Sequence, residues 1–242
     1  MQSATILKEI TLVCENKAAE EICRPVSRVD VGVTSLRGAL NSRKSENLLL
    51  VGDCFSDKSL TRALKPPYIG CFETGPDNST LESLVLPWVL HGGIALAIST
   101  ATAFSCDLTR LLCQSVADRI GLIDEQLVDM EIAIQEAIAN GLVHGNLGID
   151  SSMRGSLETF DDHCRLTEDR LSDPKYNQRR LFFFVRWDAK GVKFTIRDEG
   201  SGYDTCMTDV RYSGRGLKLI TELTESVSST DNGRSITLRF SR

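Results

Sequence analysis

Four short apolar runs in the first 92 residues constrain this fold more than any other feature. They occupy 10–14, 29–33, 47–52 and 68–72, with stretches of helical composition between them around 16–24, 35–43 and 57–64. Runs this short are of strand length, and a strand that is apolar throughout is buried on both faces. Strands of that kind alternating with helices predict a parallel α/β sheet. Asp77-Asn78-Ser79 then offers N-cap side chains for a helix near 80–90.

The pattern changes at Gly92-Gly93, which divides the chain into an α/β unit over 1–92 and a second over 93–242. The run at 94–98 reads as a strand. Asp107 caps a helix whose apolar face is Leu108, Leu111, Leu112, Val116 and Ile120, and Gly121 stops it. A longer helix spans about 124–143, with Leu127, Met130, Ile134, Ala137, Ile138 and Gly141 on one side. Residues 150–178 are polar and poor in β-branched side chains, so they form a loop or an inserted helical excursion. Strands at 181–187 and 192–197 follow, joined by Asp-Ala-Lys-Gly as a hairpin turn. A helix near 215–226 and an alternating strand at 235–240 complete the pattern.

With 242 residues, 41% of them hydrophobic and 25% charged, the chain suits one large globular domain or two small ones. Its net charge of −5, without a dense Lys/Arg block, excludes the basic face that duplex binding needs. The pair Arg179-Arg180 reads as a solvated strand start rather than a phosphate clamp. Eight cysteines are scattered without a Cys-x-x-Cys pair. They read as small buried hydrophobes in a reducing cytosol, not as a metal site or a disulfide framework. No run of 18 apolar residues and no basic-then-apolar leader is found, so the expected location is the cytoplasm, away from membranes.

Three segments carry candidate chemistry. Glu136, Asn140 and His144 recur at i, i+4, i+8 and stack on one side of the long helix. A carboxylate there can accept a proton or approach a metal-bound nucleotide; alone, the triplet is equally an exposed polar face. Asp198 ends an apolar strand, and Gly200 and Gly202 follow it. Such glycines let a ligand approach the backbone, although Asp-x-Gly is also common turn chemistry. Ser213-Gly214-Arg215-Gly216-Leu217 opens a helix whose free N–H groups suit phosphate, or is a plain loop-to-helix junction. It has neither the Walker pattern nor the preceding strand of a Rossmann fingerprint.

In this order, Glu136-x-x-x-Asn140-x-x-x-His144-Gly145-Asn146, Asp198-Glu199-Gly200-Ser201-Gly202-Tyr203-Asp204 and Gly214-Arg215-Gly216-Leu217 resemble the N, G1 and G2 boxes of the GHKL ATPases. The His-Gly-Asn and the Asp-Glu-Gly-x-Gly-aromatic-Asp resemble the anti-sigma-factor serine kinases in particular. So does the segment from Glu168 to Arg180, with its Ser-Asp-Pro-Lys-Tyr-Asn, over a resemblance that runs from about 94 to Arg242. It implies a Bergerat-type α/β sandwich with ATP and Mg²⁺ as cofactors. Asn140 would ligate Mg²⁺, Glu136 would be the general base, and Asp198 would bind the adenine amino group. Gly200 and Gly202 would shape the adenine pocket, and Gly214, Arg215 and Gly216 would approach the phosphates. His144 would either share in this or cap the helix end. Two departures from the family are a nine-residue lid between Asp204 and Gly214, and Gly233-Arg234 where Gly-Thr is usual.

The first 92 residues resemble, more loosely, a response-regulator receiver. Glu15-Asn16 stands where the acidic pair would be and Asp53 where the phosphoacceptor would be, but no Lys-bearing fifth strand is identifiable. The implied function is an ATP-dependent protein-serine kinase and anti-sigma factor in a partner-switching circuit. Its expected partners are an anti-anti-sigma antagonist of the STAS type and a sigma factor, with a homodimer as the assembly. The rival readings are an interaction module that uses ATP only to order its surface, and a histidine-kinase ATPase core. The latter needs a phosphoacceptor His on a dimerising helix, and the only upstream candidate is His91 beside Gly92-Gly93.

Overall fold

The computed structural model describes residues 9–26, 31–41, 46–150, 157–202 and 215–241. Strand β1 (Ile10–Cys14) pairs in parallel with β2 (Val31–Ser35) on one side and β3 (Leu48–Gly52) on the other. Strands β4 (Tyr68–Glu73) and β5 (Ile94–Ser99) extend the sheet in parallel, with Cys71 opposite Leu96. Beyond β5 the direction alternates. β6 (Arg180–Asp188) runs antiparallel to β5, with Leu96 opposite Phe183. β7 (Gly191–Arg197), β8 (Ser226–Thr230) and β9 (Ser235–Ser241) complete a sheet of nine strands among the described residues, in the order β2-β1-β3-β4-β5-β6-β7-β9-β8. The parallel half has the flavodoxin-like 2-1-3-4-5 order, in which functional groups gather at the carboxyl ends of the strands.

Side chains alternate between the two faces of the sheet. Leu12, Leu49, Phe72, Ala97, Phe182 and Phe184 point to one face. That face is covered by α1 (Lys17–Cys23) and by a π-helical turn, Leu81–Val85, that continues into α4 (Leu86–Leu90). Val13, Leu50, Leu96, Phe183, Phe194 and Leu238 point to the other. There α2 (Leu36–Asn41), α3 (Asp57–Ala63), α5 (Thr100–Ser105), α6 (Leu108–Ile120), α7 (Asp124–Ala139) and α10 (Arg215–Leu223) contribute to one core. On β7 and β9 the opposite face is polar, with Lys193 exposed and the Thr195 and Thr237 hydroxyls 2.9 Å apart across the strands.

No gap in the sheet marks the boundary expected at residue 93, because β5 pairs with β4 on one edge and β6 on the other. The core on the α7 side also draws on both halves of the chain. Ser115 Oγ donates to the Leu64 carbonyl at 2.7 Å, and Arg119 Nη2 to the Tyr68 carbonyl at 2.9 Å, fastening α6 to the approach of β4.

Local expectations meet the structure with a few differences. The strand expected at 29–33 is found at Val31–Ser35, and 27–30 lie outside the described residues. The 150–178 segment is a helical excursion over its described part, α8 (Leu157–Ser172) and α9 (Pro174–Asn177). α10 ends at Leu223, short of the expected 226, and Ser226–Thr230 forms an edge strand that its polar sequence did not announce. Short α5, capped by Ser99 Oγ on the Thr102 N–H at 3.2 Å, was also unexpected. No described helix is long and apolar enough to cross a membrane.

Candidate functional site

Helix α7 starts with Asp124 and Glu125, whose charges favour the positive end of the helix dipole. Its Met130, Ala133, Ile134, Ala137 and Ile138 are buried, while Glu136 and Asn140 stand half-buried toward α10. From Asn140 to Asn146 the helix widens into a π turn, and the Leu147 N–H reaches the Leu142 carbonyl at 2.8 Å. His144 Nδ1 lies 2.6 Å from the Ile149 carbonyl. A carbonyl only accepts, so Nδ1 carries a proton, and His144 ties the outgoing chain to the helix end. This is the capping role that the sequence left open.

Asp198 follows β7 and is 8% exposed. Its N–H donates to the Arg234 carbonyl at 2.9 Å, and its Oδ1 accepts from the Gly200 N–H at 2.8 Å. Among the described residues Oδ2 has no hydrogen-bond partner, and the carboxyl lines a cavity of about 120 Å³ with Ala137, Gly141, Ile196, Arg234 and Ile236. Burial pushes its pKa up to about 6, against the opposing pull of the Gly200 N–H and Arg234. The carboxyl is thus mostly ionised at neutral pH and, among the described residues, leaves Oδ2 as an unclaimed acceptor at the cavity wall.

Close backbone approaches bring the three motif segments together. A Cβ on Gly145 would collide with the Asp198 carboxyl, and one on Gly200 with the Gly145 carbonyl. Gly202 has φ +73°, a left-handed conformation that favours glycine, and a side chain there would meet the Asn232 carbonyl. In the first turn of α10, a Cβ on Gly216 would stand 2.5 Å from Glu136 Oε2 and 3.9 Å from Asn140 Nδ2. Glu136, Asn140, Asp198, Gly200, Gly202 and Gly216 therefore surround one region between α7, β7 and α10. Arg215 is the first residue of α10, but its side chain is outside the described set, as are Gly214 and the lid from Tyr203 onward.

Sequence reasoning missed three contributors. Arg234 forms part of the cavity wall, with Nη2 held 2.5 Å from Asp231 Oδ1. Asn146, quoted only as part of a motif, is completely buried. Arg180, read as half of a solvated pair, is only 5% exposed. Its guanidinium lies over the Phe72 ring and donates into 73–80, because the flanking strand is apolar and carries it inside. The one available signal was an arginine directly preceding Leu-Phe-Phe-Phe.

A second polar group lies at the carboxyl ends of β1 and β3. Asn16 Nδ2 donates to Asp53 Oδ1 at 3.0 Å, and Glu15 lies 3.8 Å from Arg62. Burial raises the Glu15 pKa, Arg62 lowers it, and Asp53 adds to the rise. β5 ends at Ser99, which donates to Glu73 from Oγ at 2.6 Å and from N at 3.1 Å, and neither β5 nor the residues directly after it, Thr100 to Phe104, include a lysine. His91 ends α4 with Nδ1 2.6 Å from the Pro87 carbonyl.

Residues 100–240 match the family model of the histidine kinase-like ATPase domain. The match covers more than half of the chain, and the chain belongs to that family. No curated protein matches it.

Proposed function

We propose, from membership of the histidine kinase-like ATPase family, that this chain binds ATP with Mg²⁺ between α7, β7 and α10 and acts as a protein-serine kinase and anti-sigma factor in a bacterial partner-switching pathway. The observation that carries the reading is the convergence of Asp198, Gly145 and Gly200 on one side with Glu136, Asn140 and Gly216 on the other.

The residues fit an adenine nucleotide. Asp198 keeps one oxygen for Gly200 and presents the other to an exocyclic N–H, within apolar walls from Ala137, Ile196 and Ile236. Gly214, Arg215 and Gly216 would offer helix N-terminal N–H groups to the phosphates, and Asn140 would ligate Mg²⁺. ATP supplies an electrophilic γ-phosphorus. Glu136 would take the proton from a substrate serine hydroxyl as its oxygen bonds to that phosphorus and ADP leaves with the bridging oxygen.

Within this reading residues 93–242 are the ATPase unit and 1–92 a receiver-like unit that docks rather than accepts phosphate. The 2-1-3-4-5 strand order supports the likeness, and Asn16 bonded to Asp53 supports the loss of phosphate chemistry. The partners would be a STAS-type antagonist and a sigma factor, with the kinase as a homodimer. The experiment is transfer of label from γ-labelled ATP to an antagonist encoded beside the gene, with the acceptor serine replaced by alanine as control. Serine-dependent label supports the kinase. Binding of ATP and antagonist without transfer would replace it by an ATP-ordered interaction module.

A further inference from the structure

A continuous set of hydrogen bonds runs from the turn after Asp198 to the β4–α4 connection. Asn146, with none of its surface exposed, uses its whole amide. Oδ1 accepts from the Glu199 N–H at 2.8 Å, while Nδ2 donates to Thr100 Oγ1 at 2.9 Å and to the Arg180 carbonyl at 3.1 Å. The Glu199 side chain closes a loop by accepting from the Arg180 N–H at 2.7 Å. Two contacts thus fix Glu199, one through its backbone and one through its carboxylate, and Glu199 lies between Asp198 and Gly200.

Arg180 carries the connection onward. Nε donates to the Glu73 carbonyl at 3.2 Å and Nη2 to Asn78 Oδ1 at 3.0 Å. Nη1 donates to the Asp77 carbonyl and, at 3.3 Å, to Thr80 Oγ1. Its targets are themselves held. Asn78 closes the 75–78 turn by accepting from the Gly75 N–H at 2.9 Å and donating to the Gly75 carbonyl at 2.8 Å. The Glu73 carboxylate accepts twice from Ser99. A buried guanidinium that loses an acceptor leaves a costly unsatisfied donor. A shift in 73–80 is therefore felt by Arg180, whose N–H and carbonyl hold Glu199 and Asn146.

We propose that Asn146 and Arg180 are positioning residues for the nucleotide-binding turn at Asp198–Gly202, and that through them the 73–80 segment and nucleotide occupancy are thermodynamically linked. The inference rests on the nucleotide reading of the site. Its consequence is an input from the amino-terminal half: whatever docks on or displaces 73–80 alters nucleotide affinity, and nucleotide reciprocally steadies 73–80.

Hydrogen exchange of the whole protein, read by mass spectrometry with and without ATP and Mg²⁺, tests this. In the wild type, ATP slows exchange at 198–202 and also at 75–81. In Arg180→Lys, which keeps the charge but not the forked donor, the first protection persists and the second is lost. Protection at 198–202 without any at 75–81 in the wild type overturns the proposal. Absence of protection at both sites means that the nucleotide reading has failed. The coupling is then judged on Asn78→Ala without nucleotide: Glu199 and Gly200 amides exchange about tenfold faster, while Phe194 and Ile196 in the adjoining strand are unchanged. Unchanged exchange at 199–200 overturns the coupling, and equal acceleration of β7 reduces it to global destabilisation and overturns it too. Asn78→Ala also weakens ATP binding by about fivefold or more if the link is as strong as typical allosteric couplings.

Discussion

Replacing Asp198 by asparagine should make the free protein more stable and the nucleotide weaker-binding. The free carboxyl is held at a pKa of about 6, against an ordinary 3.8, mainly by burial. A difference of about two pH units corresponds to roughly 3 kcal/mol of cost to the ionised folded state, and partial solvent contact reduces it to about 1–2 kcal/mol. Because the folded pKa lies above the unfolded one, the cost is absent below about pH 4. It grows between about pH 4 and 6 and is complete above that. Asp198→Asn removes it while Oδ1 still accepts from the Gly200 N–H. At pH 7.5 the free variant should melt about 3–5 °C above the wild type, and the gap should close as the pH approaches 4. With ATP and Mg²⁺ the order reverses. The wild type gains about 2.7 kcal/mol at a hundredfold excess over the dissociation constant. In the variant, an amide N–H₂ faces the adenine amino group, donor against donor, and the gain disappears. Thermal melts from pH 4 to 8, with and without nucleotide, contain every comparison. A variant less stable than the wild type throughout, or one keeping the full ATP shift, refutes the reasoning.

Glu136→Ala should retain ATP binding, since Glu136 is assigned to the hydroxyl proton and not to the nucleotide; equal phosphoryl transfer in variant and wild type would remove it from that role. Gly145→Ala drives a Cβ into the Asp198 carboxyl. It should cost about 1–3 kcal/mol of stability and abolish the ATP-induced shift, whereas an unchanged shift contradicts the placing of the two segments. Acetyl phosphate with Mg²⁺ should leave the intact mass unchanged, because phosphate at Asp53 would add about two negative charges with no lysine at the end of β5 to answer them. A mass gain lost in Asp53→Asn would show a working receiver.

The parallel half of the fold was legible because its inner strands are apolar on both sides, whereas the edge strand β2 is partly exposed along its length. Leu48 to Gly52, buried throughout, cannot be mistaken for a solvent-facing helix. β8 was illegible for the converse reason. Ser226, Val227, Ser228, Ser229 and Thr230 lie at the sheet edge, where one ladder to β9 defines the strand and little apolar burial does. The fusion of both halves into one sheet also left no trace. The pairing of β5 with β6 joins residues 94–99 to 180–185, and no local pattern encodes a partner so far along the chain. At the site, glycines and carboxylates were readable from their order. Asn146, Arg180 and Arg234 were not, since what they do depends on neighbours from other elements. The π turn at Asn140 is likewise set by tertiary contacts, although Asn140-Gly141, a pair of poor helix formers, marks where the helix could yield.

The central claim is that the cavity beside Asp198, between the end of α7, β7 and β9, is the adenine end of an ATP site, and calorimetric titration of ATP with Mg²⁺ into the whole protein tests it most directly. The account predicts saturable binding at one site per chain, retained in Glu136→Ala and undetectable in Asp198→Asn. No binding by the wild type at millimolar ATP, or equal binding by Asp198→Asn, would contradict it.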